Sequence, residues 1–331
     1  MGKGASERKG VWSAWQAGPI RLGVSSCLLG ESVRYDGGHK RDPFVVEGLG
    51  PFVEWVPVCP EVELGMGVPR PHVHLVEPEA GEPLRLIAPR TGEDFTDEMR
   101  AFAARRVEEL QRAELDGYVL KKNSPSCGMA RVKVHGVEGP LRRDGVGLFA
   151  AELRERWPHL PVEEEGRLSD PLLRENFVER VFCRNRWRAF LRQPSRGRLV
   201  EFWTAHKLLM RAHDEPAYQR LGKLVGSAKR EGATLFARFE ADFFAALARR
   251  ATVKKHANVL QHAMGFLRKV LEDGERRQLH AVLADHAAGL VPLVVPVTLM
   301  RFQIEKHGIE YLAGQLYFDP HPKELMLRNH V

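Results

Sequence analysis

Cysteine is scarce, four residues in 331, which is too few for the disulfide framework of a small secreted domain. This usage fits a reducing cytoplasm, where thiols serve more often as ligands or catalysts. No apolar run reaches 18 residues, so no membrane-spanning helix is expected. The first 19 residues hold no continuous apolar stretch of signal-peptide length and read as a loose tail without an export signal. Paired C-x-x-C knuckles are missing, which argues against a structural zinc site. So is any Gly-rich dinucleotide fingerprint that would bring in nicotinamide or flavin. RNA-recognition and zinc-finger signatures, internal repeats and low-complexity blocks beyond the tail are also absent.

What is present is a globular composition, 44% apolar and 28% charged, over a length that allows two domains, each with its own core. The net charge of +7 divides unevenly. Residues 1–166 carry 22 Lys and Arg against 26 Asp and Glu, a balance of −4, whereas residues 167–331 carry 28 against 17, a balance of +11. An excess of base confined to one half is a signature of nucleic-acid binding, although a solvated helix face produces the same count.

The periodicity changes at the same place. Up to about residue 165, strand phrases alternate with helical ones, as in the helix expected from Thr96, with Asp97 and Glu98 at its amino end and Phe102, Val107 and Leu110 on one face. This is α/β order with a Rossmann-like, mostly parallel sheet. Beyond Gly166 the chain reads as all-α. Ser169, Asp170 and Pro171 start a helix carrying Phe177, Val181, Phe182 and Phe190, and a later stripe of Val253, Ala257, Leu260, Met264, Leu267 and Leu271 spans six turns. The expected division is a tail over 1–19, an α/β domain over 20–165, a linker helix over 166–189 and an all-helical domain over 190–331.

Three cysteines close similar phrases. RLGVSSCLLG, VEWVPVCPE and DGYVLKKNSPSCG each read as a strand running into a Gly, Pro or Ser turn, with Cys27, Cys59 or Cys127 at or just past its carboxyl end. In open α/β sheets ligands bind at that edge. Three thiols gathered there can share one metal centre, or they can be small buried hydrophobes. A four-iron cluster on three thiolates would leave one iron without a protein ligand, open to a soft donor such as sulfur. Glu61 and the hydroxyls of Ser124 and Ser126 stand within three residues of a thiol, suited to proton transfer or, equally, to helix start and turn.

The phrases SSCLLGESVRYDGGHK, VCPEVELGMGVPR and KKNSPSCG resemble the signatures of the thiouracil desulfidase family over roughly residues 20–165. The second half is similar to the helical domain often fused to it, through HKLLMRAHDEPAYQRLGKLVG, HANVLQHAMGFLRKVL, GLVPLVVPVTLMRFQIEKHG and QLYFDPHPKELMLRN. Together the halves resemble the fused enzymes that remove sulfur from 4-thiouridine in transfer RNA. The resemblance implies a [4Fe-4S] cluster on Cys27, Cys59 and Cys127, with Glu61 and Ser124 catalytic. It also makes Tyr35, Asp36 and Ser126 candidates for substrate contact.

In the helical half, Lys254, Lys255, His262 and Lys269 lie off the apolar stripe and are candidates for gripping RNA phosphates. The expected partner is thiolated tRNA, with no membrane and with a homo-oligomer left open. Two rivals stand beside this reading: a desulfidase of free thiouracil whose helical domain dimerises, and a non-catalytic iron–sulfur RNA-binding protein. His72 and His74 alternate in RPHVHL without a third partner nearby in sequence and are expected to be surface residues rather than zinc ligands. Cys183 is expected to pack in a helix core.

Overall fold

The computed structural model describes residues 15–79, 81–136, 141–228 and 232–331, so the expected tail lies outside the described residues up to residue 14. Among the described residues the chain divides into two compact units, one over 19–170 and one made of 15–18 together with 171–331. No helix among the described residues is long and apolar enough to cross a membrane.

In the first unit, β1 (Ile20–Ser25) pairs in parallel with β2 (Val53–Val58) and with β6 (Gly117–Leu120), which pairs in parallel with β9 (Val162–Glu164), giving the order β2-β1-β6-β9. The register sets Ser25 beside Val58 and Val24 beside Val119, so three strands end at one edge. All four residues of β6 are buried, as expected of a strand between parallel neighbours with both faces covered.

A second sheet was not anticipated from the sequence. Its order is β5-β4-β3-β7-β8, from β3 (His74–Glu77), β4 (Arg85–Ala88), β5 (Glu93–Asp94), β7 (Val132–Gly136) and β8 (Arg142–Gly145). Only β3 and β7 are parallel; the other neighbours are antiparallel. These strands are two to five residues long, too short for their alternation to stand out from the surrounding Gly and Pro. The unit is therefore α/β with a parallel sheet and an added mixed one. A single core unites them, in which α2 (Thr96–Arg112) contributes Met99, Phe102, Val107 and Leu110 and α3 (Leu148–Arg156) contributes Phe149 and Leu153. Thr96 does not cap α2. It is the first helical residue, and its hydroxyl oxygen accepts from the Leu86 amide at 2.8 Å, tying the helix to β4.

The second unit is helical: α4 (Pro171–Leu191), α5 (Arg196–His213), α6 (Glu215–Gly226), α7 (Leu235–Leu247), α8 (Val253–Leu267), α9 (Asp273–Ala287), α10 (Val294–His307) and the short α11 (Glu310–Ala313). The helix expected as a linker is instead central to this unit. From α4, Cys183, Trp187 and Phe190 enter its core, with the Trp187 ring stacked 4.6 Å from Phe190 and 5.4 Å from Phe239. The last tail residues are ordered too, the Trp15 ring meeting Phe202 edge-on at 5.9 Å and the Ala17 amide donating to Asn185 at 3.0 Å. Helix starts are capped locally, by Ser195 on the Arg198 amide and by Asp214 on the Ala217 amide. The expected stripe is shorter than six turns because α8 ends at Leu267, although Leu271 is still buried in the turn that follows.

A buried charge network also holds this unit. Arg328 donates to Glu175 and to Glu179, each at 2.8 Å, and Glu179 pairs with His213 at 3.1 Å. Burial opposes ionisation of Glu179, yet His213 and Arg328 hold its carboxyl well below the usual range. Replacing Arg328 with Met should leave Glu175 buried without its cation and Glu179 with His213 alone, at a cost of about 3–5 kcal/mol. Denaturant unfolding of the full-length chain measures this, and an unchanged midpoint would show that the network contributes no net stability.

Candidate active site

Where β1, β2 and β6 end, the chain builds a cavity of about 240 Å³. Cys27, Cys59, Cys127, Glu61, Ser124 and Tyr35 line it, so thiols separated by 32 and 68 residues meet in one place. Cys27 follows β1 in a short 3-10 turn, and its carbonyl accepts from the Lys40 amide at 2.9 Å. Cys59 follows β2 at the start of α1 (Pro60–Glu63), and its amide donates to Glu63 at 3.1 Å. Cys127 lies beyond β6 in a turn held by Ser124, whose hydroxyl oxygen accepts from the amides of Ser126 at 3.2 Å and Cys127 at 3.1 Å.

That turn admits no bulk. A Cβ on Gly128 would stand 2.8 Å from the Ser124 carbonyl oxygen, and one on Gly147 would stand 2.5 Å from the Ser126 carbonyl. Both glycines allow the start of α3 to fasten the turn, the Phe149 amide donating to the Ser126 carbonyl at 3.0 Å.

Burial pushes the Cys27 thiol up to about 11, against the opposing charge of Lys121, and raises Cys59 and Cys127 as well. Each site also carries groups that favour the thiolate: Lys121 and Arg34 near Cys27, backbone amides of Val62 and Glu61 on Cys59, and the Ser25 side chain on Cys127. Metal binding displaces thiol protons outright, so two buried thiols and a half-buried one with such donors fit a soft metal centre. Among the described residues no group of three or more His, Cys, Asp or Glu converges as the ligands of a single ion would. Three thiols lining one cavity are the kind of donor set that holds an iron–sulfur cluster.

Glu61 is firmly held. Its Oε2 receives Arg70 through Nε at 2.8 Å and Nη2 at 2.7 Å, and its Oε1 accepts from the Ser126 hydroxyl at 2.9 Å. Arg70 is buried and anchored further by the carbonyls of Val33, at 2.9 Å, and Gly67, at 3.0 Å. Sequence reasoning missed Arg70. It closes the phrase VCPEVELGMGVPR, nine residues after Glu61, and only a chain reversal brings the two together. Lys121, which lines the cavity and pairs with Glu165 just past β9, was missed for the same reason.

The expected substrate contacts separate. Tyr35 lines the cavity, 37% exposed, with its ring 4.7 Å from that of His72. Ser126 is fully buried and does not line it, its hydroxyl being engaged by Glu61. Asp36 also lies off the cavity and faces solvent, where its carboxylate accepts from the Gly38 amide at 3.0 Å and pairs with Arg34. His72 and His74 are bonded to each other, ring nitrogen to ring nitrogen, at 2.8 Å.

The four residues expected to meet RNA all belong to the helical unit. Lys254, His262 and Lys269 are exposed, Lys269 lying just past the end of α8. Lys255 is half-buried, with its ammonium on the carbonyls of His213 at 2.6 Å and Arg250 at 3.3 Å, where it closes the end of α5. Cys183 is fully buried, its thiol pushed up to about 12 by burial.

Comparison with known proteins follows the same division. Residues 207–322 match a family described only as a protein of unknown function, DUF1722. Across 137 residues the chain is 28% identical to the uncharacterized protein YbgA of Escherichia coli (strain K12), covering 41% of this chain and 81% of that protein. It is 30% identical over 145 residues to the uncharacterized protein YbbK of Bacillus subtilis (strain 168), covering 43% of this chain and 95% of that one. Among solved structures it is similar to the [4Fe-4S]-dependent thiouracil desulfidase TudS, at 31% identity and a TM-score of 0.38, covering 46% of this chain and 94% of that one. The strand-end thiols and the cavity they share lie within residues 22–165, and through those residues the chain belongs to the 2-thiouracil desulfurase family.

Proposed function

We propose that this protein removes the sulfur of a thiolated uracil by hydrolysis, its substrate being 4-thiouridine in tRNA and its products uridine and hydrosulfide. The observation that carries this reading is that Cys27, Cys59 and Cys127 line one cavity with Glu61 and Ser124. The three thiolates would hold a [4Fe-4S] cluster, whose iron without a protein ligand supplies a Lewis acid for a thiocarbonyl sulfur. Water is the oxygen source, so the exchange of C=S for C=O is balanced without net electron transfer.

The chain's own groups divide the remaining work. Arg70 occupies Oε2 of Glu61 and the Ser126 hydroxyl takes one lone pair of Oε1, so the second lone pair of Oε1 is the one to take a proton from the attacking water and return it to the product. Ser124 already accepts two backbone amides through its hydroxyl oxygen, so its own proton is the one it has to offer the pyrimidine ring. Lys121 and Arg34 bring positive charge to the cavity where negative charge develops.

The basic half supports an RNA substrate. Phosphate contacts from Lys254 and Lys269 would position a folded RNA without reading its sequence. Binding should weaken steeply with salt, each neutralised phosphate adding about 0.7 to 0.9 to the slope of log affinity against log salt. Reversing Lys254 and Lys269 to Glu should lower affinity for all tRNAs alike and leave iron content unchanged, as filter binding and iron analysis would report.

A second reading is favoured by one observation: the cavity is assembled wholly from residues of the first unit, as a desulfidase of free thiouracil would require. Anaerobically prepared protein incubated with bulk tRNA, followed by nucleoside mass spectrometry, separates the two. Loss of 4-thiouridine with matching gain of uridine supports the tRNA enzyme. Turnover of free thiouracil alone supports the second reading.

A further inference from the structure

A run of rings leads away from the cavity. Tyr35 and His72 line it, with centroids 4.7 Å apart; His74 follows 4.7 Å beyond His72, and His135 lies stacked 4.2 Å beyond His74 at an interplanar angle of 18°. The register explains how the rings reach one surface. In β3 and β7, Leu75, Val132 and Val134 point into the core, so the alternating residues His74, Lys133 and His135 take the opposite face, where Lys133 is exposed and both rings are half-exposed.

This face has little to do with holding the fold, since none of these rings belongs to the core of the unit. The bond between His72 Nδ1 and His74 Nε2 uses one proton for two nitrogens, which suits neutral rings. Burial lowers both imidazoles from their ordinary range, at His72 against the opposing charge of Glu61, and Lys133 adds to it at both. The rings meet at 58° and 80° and only His74 and His135 lie face to face, so the outer faces of that stacked pair are the ones left to a base, and cations stand at both ends: the Arg34 guanidinium 5.3 Å from the Tyr35 ring and Lys133 two residues before His135.

We infer that Tyr35, His72, His74 and His135 form a stacking platform for the nucleotides flanking the target base in an unpaired stretch of RNA, with Arg34 and Lys133 meeting its phosphates. This inference rests on the RNA reading of the preceding section and adds to it a path across the first unit. Protein recognition of RNA sequence commonly works this way, by splaying unstacked bases onto aromatic side chains. A base that must enter a cavity has to leave its stack, and a platform for its neighbours offsets part of that cost.

The test uses the full-length protein and a short unpaired RNA with one 4-thiouridine next to a 2-aminopurine nucleotide, whose fluorescence falls when it stacks. Wild-type protein should quench the probe on binding. A His74→Ala, His135→Ala double variant should lose the quenching and bind the RNA roughly 10-fold to 100-fold more weakly, the usual worth of one or two stacked bases. The ratio of its activity on the RNA to its activity on free thiouracil should fall as well. The His74→Phe, His135→Phe variant keeps the π-faces and should keep both quenching and affinity. Wild-type affinity and quenching in the alanine variant would overturn the platform while leaving the RNA reading intact. Failure of the wild-type protein to bind the RNA at all would overturn both.

Discussion

Protein carrying Ala in place of Cys27, Cys59 or Cys127 should be colourless and inactive, whereas wild-type protein prepared without oxygen should be brown, with about four irons and matching sulfide per chain. The effect should be all or none, because a cluster on three thiolates has no spare protein ligand. Cys183→Ala supplies the control. That thiol is fully buried among the aromatics of the helical unit and does not line the cavity; its loss removes a small group that accepts from the buried Arg186 guanidinium at 3.6 Å, which touches stability and not the cluster. Iron analysis and visible absorption of the four variants decide the matter. Stoichiometric zinc without sulfide in active wild-type protein would refute the cluster, as would full iron content in any of the three Ala variants.

Glu61→Gln should have the next largest effect, a loss of roughly 10²-fold to 10⁴-fold in turnover with iron content and spectrum unchanged. Gln keeps the shape of Glu61 and can still accept from the Ser126 hydroxyl at Oε1, but it cannot take a proton there. Arg70→Met should slow turnover as well, since it frees Oε2 from the two contacts that aim the carboxylate and leaves it beside buried thiols without its cation. Single-turnover rates on a thiolated substrate measure both. Should Glu61→Gln match the wild-type rate, the carboxyl would be a structural partner of Arg70, and water or Ser124 would have to manage the protons.

Much of the first unit was legible in its phrases. β1, β2 and β6 were readable because their apolar residues run into Gly, Pro or Ser, and the thiols could be assigned to strand ends without knowing which strands were neighbours. The second sheet was not legible, because its stability lies in pairings between segments such as β3 and β7 that are far apart in sequence, and a strand of four or five residues has little signal of its own. In the helical half, the faces of α4 and α8 followed from a spacing of three and four residues, while the ends of α8 and the ordered stretch from Trp15 depended on packing.

The chemistry divides in the same way. Sequence alone determined the kinds of groups available: three thiols with a carboxyl and hydroxyls close by, an acidic half and a basic one. These follow from residue type and local order, which no fold can change. Tertiary structure decided which groups act together. It joined Glu61 to Arg70 and Ser126, withdrew Ser126 and Asp36 from the cavity wall, turned Lys255 onto backbone carbonyls, and gave His72 and His74 the third ring that their own segment lacks, in His135. The physical reason is range: propensity and periodicity act over a few residues, whereas a cavity is closed by side chains that meet only when distant strands come into register and their polar atoms must find partners away from water.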